Sequence, residues 1–131
     1  MRPLILAAFC SLLCSCAALN PWAETPPVYV VFFAGTDTAL SADAKAIVDN
    51  AALKARLKPK AMVQIAGPKT EIAPGYDPKY AQPRIDAVIN ELIAAGVAKE
   101  KLVQTSLTTD DAKVDKSGAQ RVEIRILDDA G

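Results

Sequence analysis

Residues 121–127 read Arg-Val-Glu-Ile-Arg-Ile-Leu, with charged and apolar side chains in strict alternation as far as Ile126. A period of two belongs to a strand with one face in a core and the other in water. Such a strand needs a second layer over Val122, Ile124 and Ile126, and an amphipathic helix can supply it. Ile85, Val88, Ile89, Leu92 and Ile93 fall at i, i+3, i+4, i+7 and i+8, an apolar stripe of helical spacing, with Gly96 at the C′ position. A further helix is expected from Ala42 to about Leu57. Ser41 caps it, Asp43 sits in its first turn, Ile47, Val48, Ala51 and Ala55 face inward, and Pro59 stops it.

Three more segments read as strands. Val28 to Phe33 (VYVVFF) is apolar at every position, which predicts burial on both faces and a central place in the sheet. Ala61 to Ala66 is ended by Gly67-Pro68, and Lys101 to Thr108 is the third. Four prolines and Gly75 between Pro68 and Pro83 make a long, stiff loop. Asp77-Pro78 can open the following helix, which puts a kink at Pro83; alternatively Gln82 caps it with Pro83 at N1. Thr109 to Gly118 is a polar connection. Its Asp110, Asp111 and Asp115 lack the Asp-x-Asp-x-Asp-Gly order of a calcium loop. The order β-α-β-α-β-β predicts an α+β two-layer sandwich, a four-stranded mixed sheet with two helices on one face, over residues 28–127. Residues 128–131 are a short charged tail.

Fifteen basic residues balance fifteen acidic ones, so there is no basic footprint for nucleic acid. The chain has no histidine, which excludes Ser-His-Asp and Cys-His catalysis and His-ligated zinc. No motif places a serine beside a base. The expectation is a protein without enzymatic activity, cofactor or metal.

All three cysteines lie within the first sixteen residues. Met1-Arg2 precedes an uncharged, largely apolar run from Leu4 to Leu13, the length of an export signal and about half that of a membrane span. The run ends in Leu13-Cys14-Ser15-Cys16, which resembles a bacterial lipobox. On that reading residues 1–15 are a signal peptide, Cys16 is lipidated, and Ala17 after it implies sorting to the outer membrane. The other reading is ordinary cleavage after Ala17 or Ala18, which releases a soluble periplasmic protein. Residues 16–27, with Asn20-Pro21 and Pro26-Pro27, form a tether; the eleven residues from Ala17 to Pro27 reach at most ~40 Å.

Taken together, these segments resemble the OmpA-like peptidoglycan-associated domain. Its apolar strand and polar turn ending in Leu-Ser match VYVVFFAGTDTALS, residues 28–41. Its Gly-Val turn matches Gly96-Val97, and its closing Arg-Val-Glu-Ile strand matches Arg121 to Ile124. The resemblance implies non-covalent binding to peptidoglycan through the diaminopimelate of the stem peptide. In the family an aspartate and an arginine hold that zwitterion, and an arginine fork suits its carboxylate. Asp77-x6-Arg84 reproduces the family's Asn-x6-Arg spacing, so Arg84 is the arginine carried over. Arg121 matches a second arginine, at the start of the last strand. Where the family has Gly-His-Thr-Asp this chain has Gly67-Pro68-Lys69-Thr70, so Lys69 or Thr70 occupies the aspartate position. Glu71 can replace the acid only if the loop re-aims it.

Local readings stand beside these. Arg84 either binds a carboxylate or pairs with Asp77, Glu71 or Asp37. Arg121 and Arg125 read as a solvated sheet edge, and Tyr76 and Tyr80 either line a shallow groove or pack over the sheet. Two functions follow. One is an outer-membrane lipoprotein that tethers the membrane, through lipid on Cys16, to peptidoglycan. The other is the same scaffold without cell-wall affinity, binding an envelope protein partner through the Pro68 to Pro83 loop or the last strand.

Overall fold

A computed structural model of the chain describes residues 26–108 and 114–128. The signal, lipidation and tether readings before residue 26, and Asp110 and Asp111, lie outside the described residues. Ser41 caps the first helix as expected. Its hydroxyl accepts the Ala44 amide at 3.1 Å, and α1 follows as Ala42–Arg56. The strands are β1 (Val28–Phe32), β2 (Met62–Gly67), β3 (Leu102–Ser106) and β4 (Arg121–Leu127), with α2 (Ala81–Ala94) between β2 and β3. A four-residue helix, α3 (Lys116–Ala119), precedes β4.

The strands lie in the order β1-β4-β2-β3. β4 is antiparallel to both its neighbours, and β2 and β3 are parallel. α2 thus joins adjacent parallel strands, whereas α1 joins β1 to β2 across a gap that β4 fills. Alternation puts Val31, Val63, Ile65, Val122, Ile124 and Ile126 on one sheet face. There they meet Ala44, Val48, Ala51 and Ala55 of α1 and Ile85, Val88 and Leu92 of α2 in one buried cluster. The alanines of α1 let its backbone approach the sheet closely. Both helices therefore cover one face, and the α+β sandwich is as the sequence predicts.

The placement of β1 differs from expectation. It is an edge strand, hydrogen-bonded among the described residues only to β4. Val31 is buried beneath the helices, but on the opposite face Val28 is 43% and Phe32 57% exposed. An unbroken apolar run implies two buried faces only when strands flank it on both sides, and here the central place is taken by β4. For the same reason Arg121 and Arg125 do not form an edge. They stand on the open face of a central strand, on either side of Glu123, at 3.6 and 3.3 Å from its carboxylate oxygens. The polar connection before β4 also contains structure. Asp115 caps α3, its carboxylate accepting the Gly118 amide at 2.8 Å.

Neither expected start of α2 is observed. Asp77 caps a 3-10 turn, Pro78–Tyr80, which runs directly into α2 at Ala81. Pro83 is then the third residue of α2, where an N–H has no intrahelical acceptor, so the proline removes nothing and forces no kink. Gln82 lies inside the helix, and its amide donates to Asp86 at 2.8 Å and to Gln104 of β3 at 3.1 Å. Beneath this turn Gly67 ends β2. A Cβ there would lie 2.9 Å from Ile85 Cδ1, so the glycine lets the first turn of α2 rest on the end of the sheet.

Candidate binding cleft

Three connections meet beyond the ends of β1 and β2. These are the β1–α1 loop, the β2–α2 loop and the segment around α3. A second apolar cluster of Ile72, Ala73, Tyr76 and Ala119, with Val114 against it, pins the β2–α2 loop to α3. The loop is closed further by its own bonds. The Tyr76 hydroxyl donates to the Pro68 carbonyl at 2.8 Å, and the Gly75 amide donates to Glu71 at 3.3 Å.

Arg84, on the first turn of α2, is turned inward and only 1% exposed. Its guanidinium lies 5.1 Å from the ring centre of Phe33 and 5.3 Å from that of Tyr80. Nε donates to the Asp37 carbonyl at 2.8 Å and Nη2 to the Gly35 carbonyl at 2.9 Å. Gly35 has φ +52°, a left-handed conformation that turns the chain sharply after β1. The Asp37 amide closes that turn onto the Ala34 carbonyl at 2.8 Å. Arg84 therefore holds the β1–α1 loop by its main chain, and none of Asp77, Glu71 and Asp37 is its ion-pair partner. Nη1 is buried and has no hydrogen-bond partner. Among the described residues no carboxylate reaches ion-pair distance of this guanidinium. Burial pushes its pKa down, while the charges of Tyr76, Asp37 and Tyr80, and a side-chain interaction with the Tyr76 hydroxyl, oppose that. The guanidinium stays protonated, so it is a buried cation with an unused donor.

Beside it opens a cleft of about 360 Å³ lined by Gly35, Thr36, Gly75, Asp77, Tyr80, Lys116 and Gln120. Two of these, Gly35 and Tyr80, also touch Arg84. Asp77 accepts the Lys79 amide at 3.0 Å and pairs with the Lys79 ammonium at 3.0 Å. The backbone bond is the main reason its carboxyl is held below the usual carboxylate range. The cleft thus offers a carboxylate on Asp77 and an ammonium on Lys116, and the buried guanidinium of Arg84 lies behind two of its wall residues, Gly35 and Tyr80. A larger depression of about 510 Å³ lies along the same β1–α1 loop, lined by Phe32, Phe33, Ala34, Asp37, Ala39, Leu40 and Ser41. It brings no basic side chain together with an acid.

The residues expected from sequence divide accordingly. Thr70 and Glu71 are exposed in the β2–α2 loop and do not line the cleft, Glu71 being turned back onto Gly75. Arg121 is on the open sheet face, away from Arg84. Tyr80 lines the groove, whereas Tyr76 is buried in the second cluster. Lys116 and Gln120 enter from the segment before β4, which by sequence reads only as a polar connection.

No family model matches the chain, and no curated protein matches it by sequence. Solved structures do match. The OmpA-like domain of FopA1 from Francisella tularensis is 22% identical with a TM-score of 0.62, covering 79% of this chain and 75% of that one. The fold is that of the OmpA-like domains. The peptidoglycan-associated lipoprotein from Burkholderia pseudomallei shares it at 16% identity and a TM-score of 0.56, over 82% of this chain and 98% of its own. The C-terminal domain of Helicobacter pylori MotB does so at 21% identity and 0.60, over 82% and 88%. In this OmpA-like fold the cleft sits outside the ends of β1 and β2, walled by the connections that follow them. Among the described residues no helix is long and apolar enough to cross a membrane.

Proposed function

We propose that the domain binds peptidoglycan non-covalently and, through lipid on Cys16, tethers the outer membrane to the cell wall. The observation that carries this reading is Arg84, a buried cation with a free donor and no acid of its own. An unpaired charge of this kind is unfavourable in the folded protein unless a ligand anion completes it. The cleft beside it supplies both signs of charge, as the free end of diaminopimelate requires. The stem-peptide carboxylate docks on Lys116 and is drawn by the charge of Arg84 behind Gly35 and Tyr80, and the ammonium docks on Asp77. Asp77 thereby takes the part of the aspartate that Lys69 or Thr70 has replaced, which is why Glu71 need not be re-aimed. One of the structural neighbours is by name a peptidoglycan-associated lipoprotein, in keeping with this ligand.

Co-sedimentation with purified sacculi tests the proposal. Wild type is expected to pellet, a soluble diaminopimelate-containing peptide to release it, and Asp77→Asn and Lys116→Ala each to weaken binding about tenfold. If folded wild type stays in the supernatant, the cell-wall reading falls, and the scaffold is better assigned to binding a protein of the envelope.

A further inference from the structure

The free edge of β1 has a hydrogen-bonding phase that can be read from the structure. Phe33 continues the β1–β4 register opposite Gln120, and its amide donates to the Gln120 carbonyl at 2.9 Å. In an antiparallel ladder hydrogen-bonded and non-hydrogen-bonded pairs alternate. Phe33, Val31 and Tyr29 therefore turn their backbone groups toward β4. Val28, Val30 and Phe32 turn theirs outward, where among the described residues no strand meets them. The side chains of these same three residues stand on the open face of the sheet.

Edge strands are ordinarily guarded by charge, proline or a bulge. Val28–Phe32 contains no charge and no proline. The edge is closed on one side by Pro26-Pro27 and on the other by the turn that Gly35 begins. This limits it to five residues, of which the first, middle and last are the outward ones. By contrast β3, at the other edge, carries Gln104, Thr105 and Ser106.

We propose that β1 pairs antiparallel with β1 of a second copy of this chain, about a two-fold axis through Val30. That register sets Val30 opposite Val30 and Val28 opposite Phe32 in both directions. Each outward residue then stands in a pair that exchanges two hydrogen bonds. A strand of alternating inward and outward residues with an outward residue at its centre is complementary to itself, as an isologous interface requires. The exposed side chains of Val28 and Phe32 cover one another across the junction, and the uncharged run brings no like charges together. The two sheets become one of eight strands. Five residues a side bury less than the ~1,200–2,000 Å² of a stable interface, so association lies in the micromolar to millimolar range. The inference does not depend on what the cleft binds.

Amide hydrogen exchange on the full chain, followed by NMR at about 20 μM and about 1 mM, tests it residue by residue. Tyr29 and Val31 should be protected at both concentrations by β4. Val28, Val30 and Phe32 should gain protection only at the higher one. Phe32→Lys, at an exposed position, should move that gain to at least about tenfold higher concentration while leaving Tyr29 and Val31 unchanged. Protection of the outward amides that is equal at both concentrations would mean that the chain covers its own edge, and the proposal fails. It fails equally if those amides stay unprotected at 1 mM, or if Phe32→Lys leaves the concentration dependence as it was.

Discussion

The molecule treats its arginines in two ways. Arg121 and Arg125 share Glu123 on the open sheet face, so two cations flank one anion and each has a carboxylate within 4 Å. Arg84 is more deeply buried, yet among the described residues its hydrogen-bond acceptors are main-chain carbonyls. The first arrangement has an acid of its own and serves the sheet, although the Nε of each of its arginines, like Nη1 of Arg84, is buried without a hydrogen-bond partner. The second holds a loop in shape and keeps one donor and a net charge in reserve. Where a fold gives its buried cations a carboxylate the residues serve the structure; where it gives a buried cation main-chain carbonyls only, the site is a candidate for a ligand anion.

Substitutions can test how deep this difference runs. Arg84→Ala should have the largest effect, a loss of about 3 kcal/mol in urea denaturation, because two charge-assisted bonds to main-chain carbonyls and the packing of a buried side chain disappear together. Gly35 and Asp37 amides should exchange faster in that variant. Glu123→Gln should reduce stability by a smaller amount, about 1–2 kcal/mol, since its ion pairs are long and the amide can still accept one bond. If Glu123→Gln proved the more damaging of the two, the division into a structural and a ligand-facing group would be reversed.

Lys116→Ala should change stability by less than about 0.5 kcal/mol, since Lys116 is exposed, while weakening sacculus binding about tenfold. Stability and binding would then separate at this position as they cannot at Arg84. A pH series gives a further check. The Asp77 carboxyl is held low, so its contribution to the turn before α2 is complete above the usual 3.8 and is lost as pH falls through its lower folded value. The Lys79 ammonium is held high by Asp77, so its share is complete below the usual 10.5 and is lost as pH rises through the raised value. The stability this pair gives the turn should therefore be flat from about pH 5 to 9. Thr70→Asp should have the least effect, a change in affinity within about twofold, because residue 70 does not line the cleft.

The periodic parts of the chain are legible in the sequence itself. The alternation of residues 121–127, the stripe from Ile85 to Ile93 and the Ser41 cap each have a local physical cause, and each element forms where it should. Strand order is not legible in this way. Nothing within VYVVFF reveals that β4 inserts between β1 and β2, so the run reads as central although half of it meets solvent. At the cleft, the Asp77-x6-Arg84 spacing singles out Arg84, but its acceptors are carbonyls, and main-chain acceptors leave no mark on side-chain identity. Lys116 is hidden for a related reason. It is one lysine in a polar stretch, and only the packing of Ala119 against Ile72, Ala73 and Tyr76 brings that stretch to the site.

The left-handed turn at Gly35 also has a mechanical consequence. It sets one wall of the cleft at the downstream end of β1, while the chain enters the domain at the upstream end, through Pro26 and Pro27. Tension between that entry point and a ligand gripped in the cleft runs along the strand axis. The rungs that Tyr29, Val31 and Phe33 form with β4 are then loaded in shear, all at once, instead of being peeled one after another. A strand clamped in this geometry yields only when several bonds give way together, so the domain would resist a pull applied at Pro26 along the strand far better than a sideways tug on the same strand.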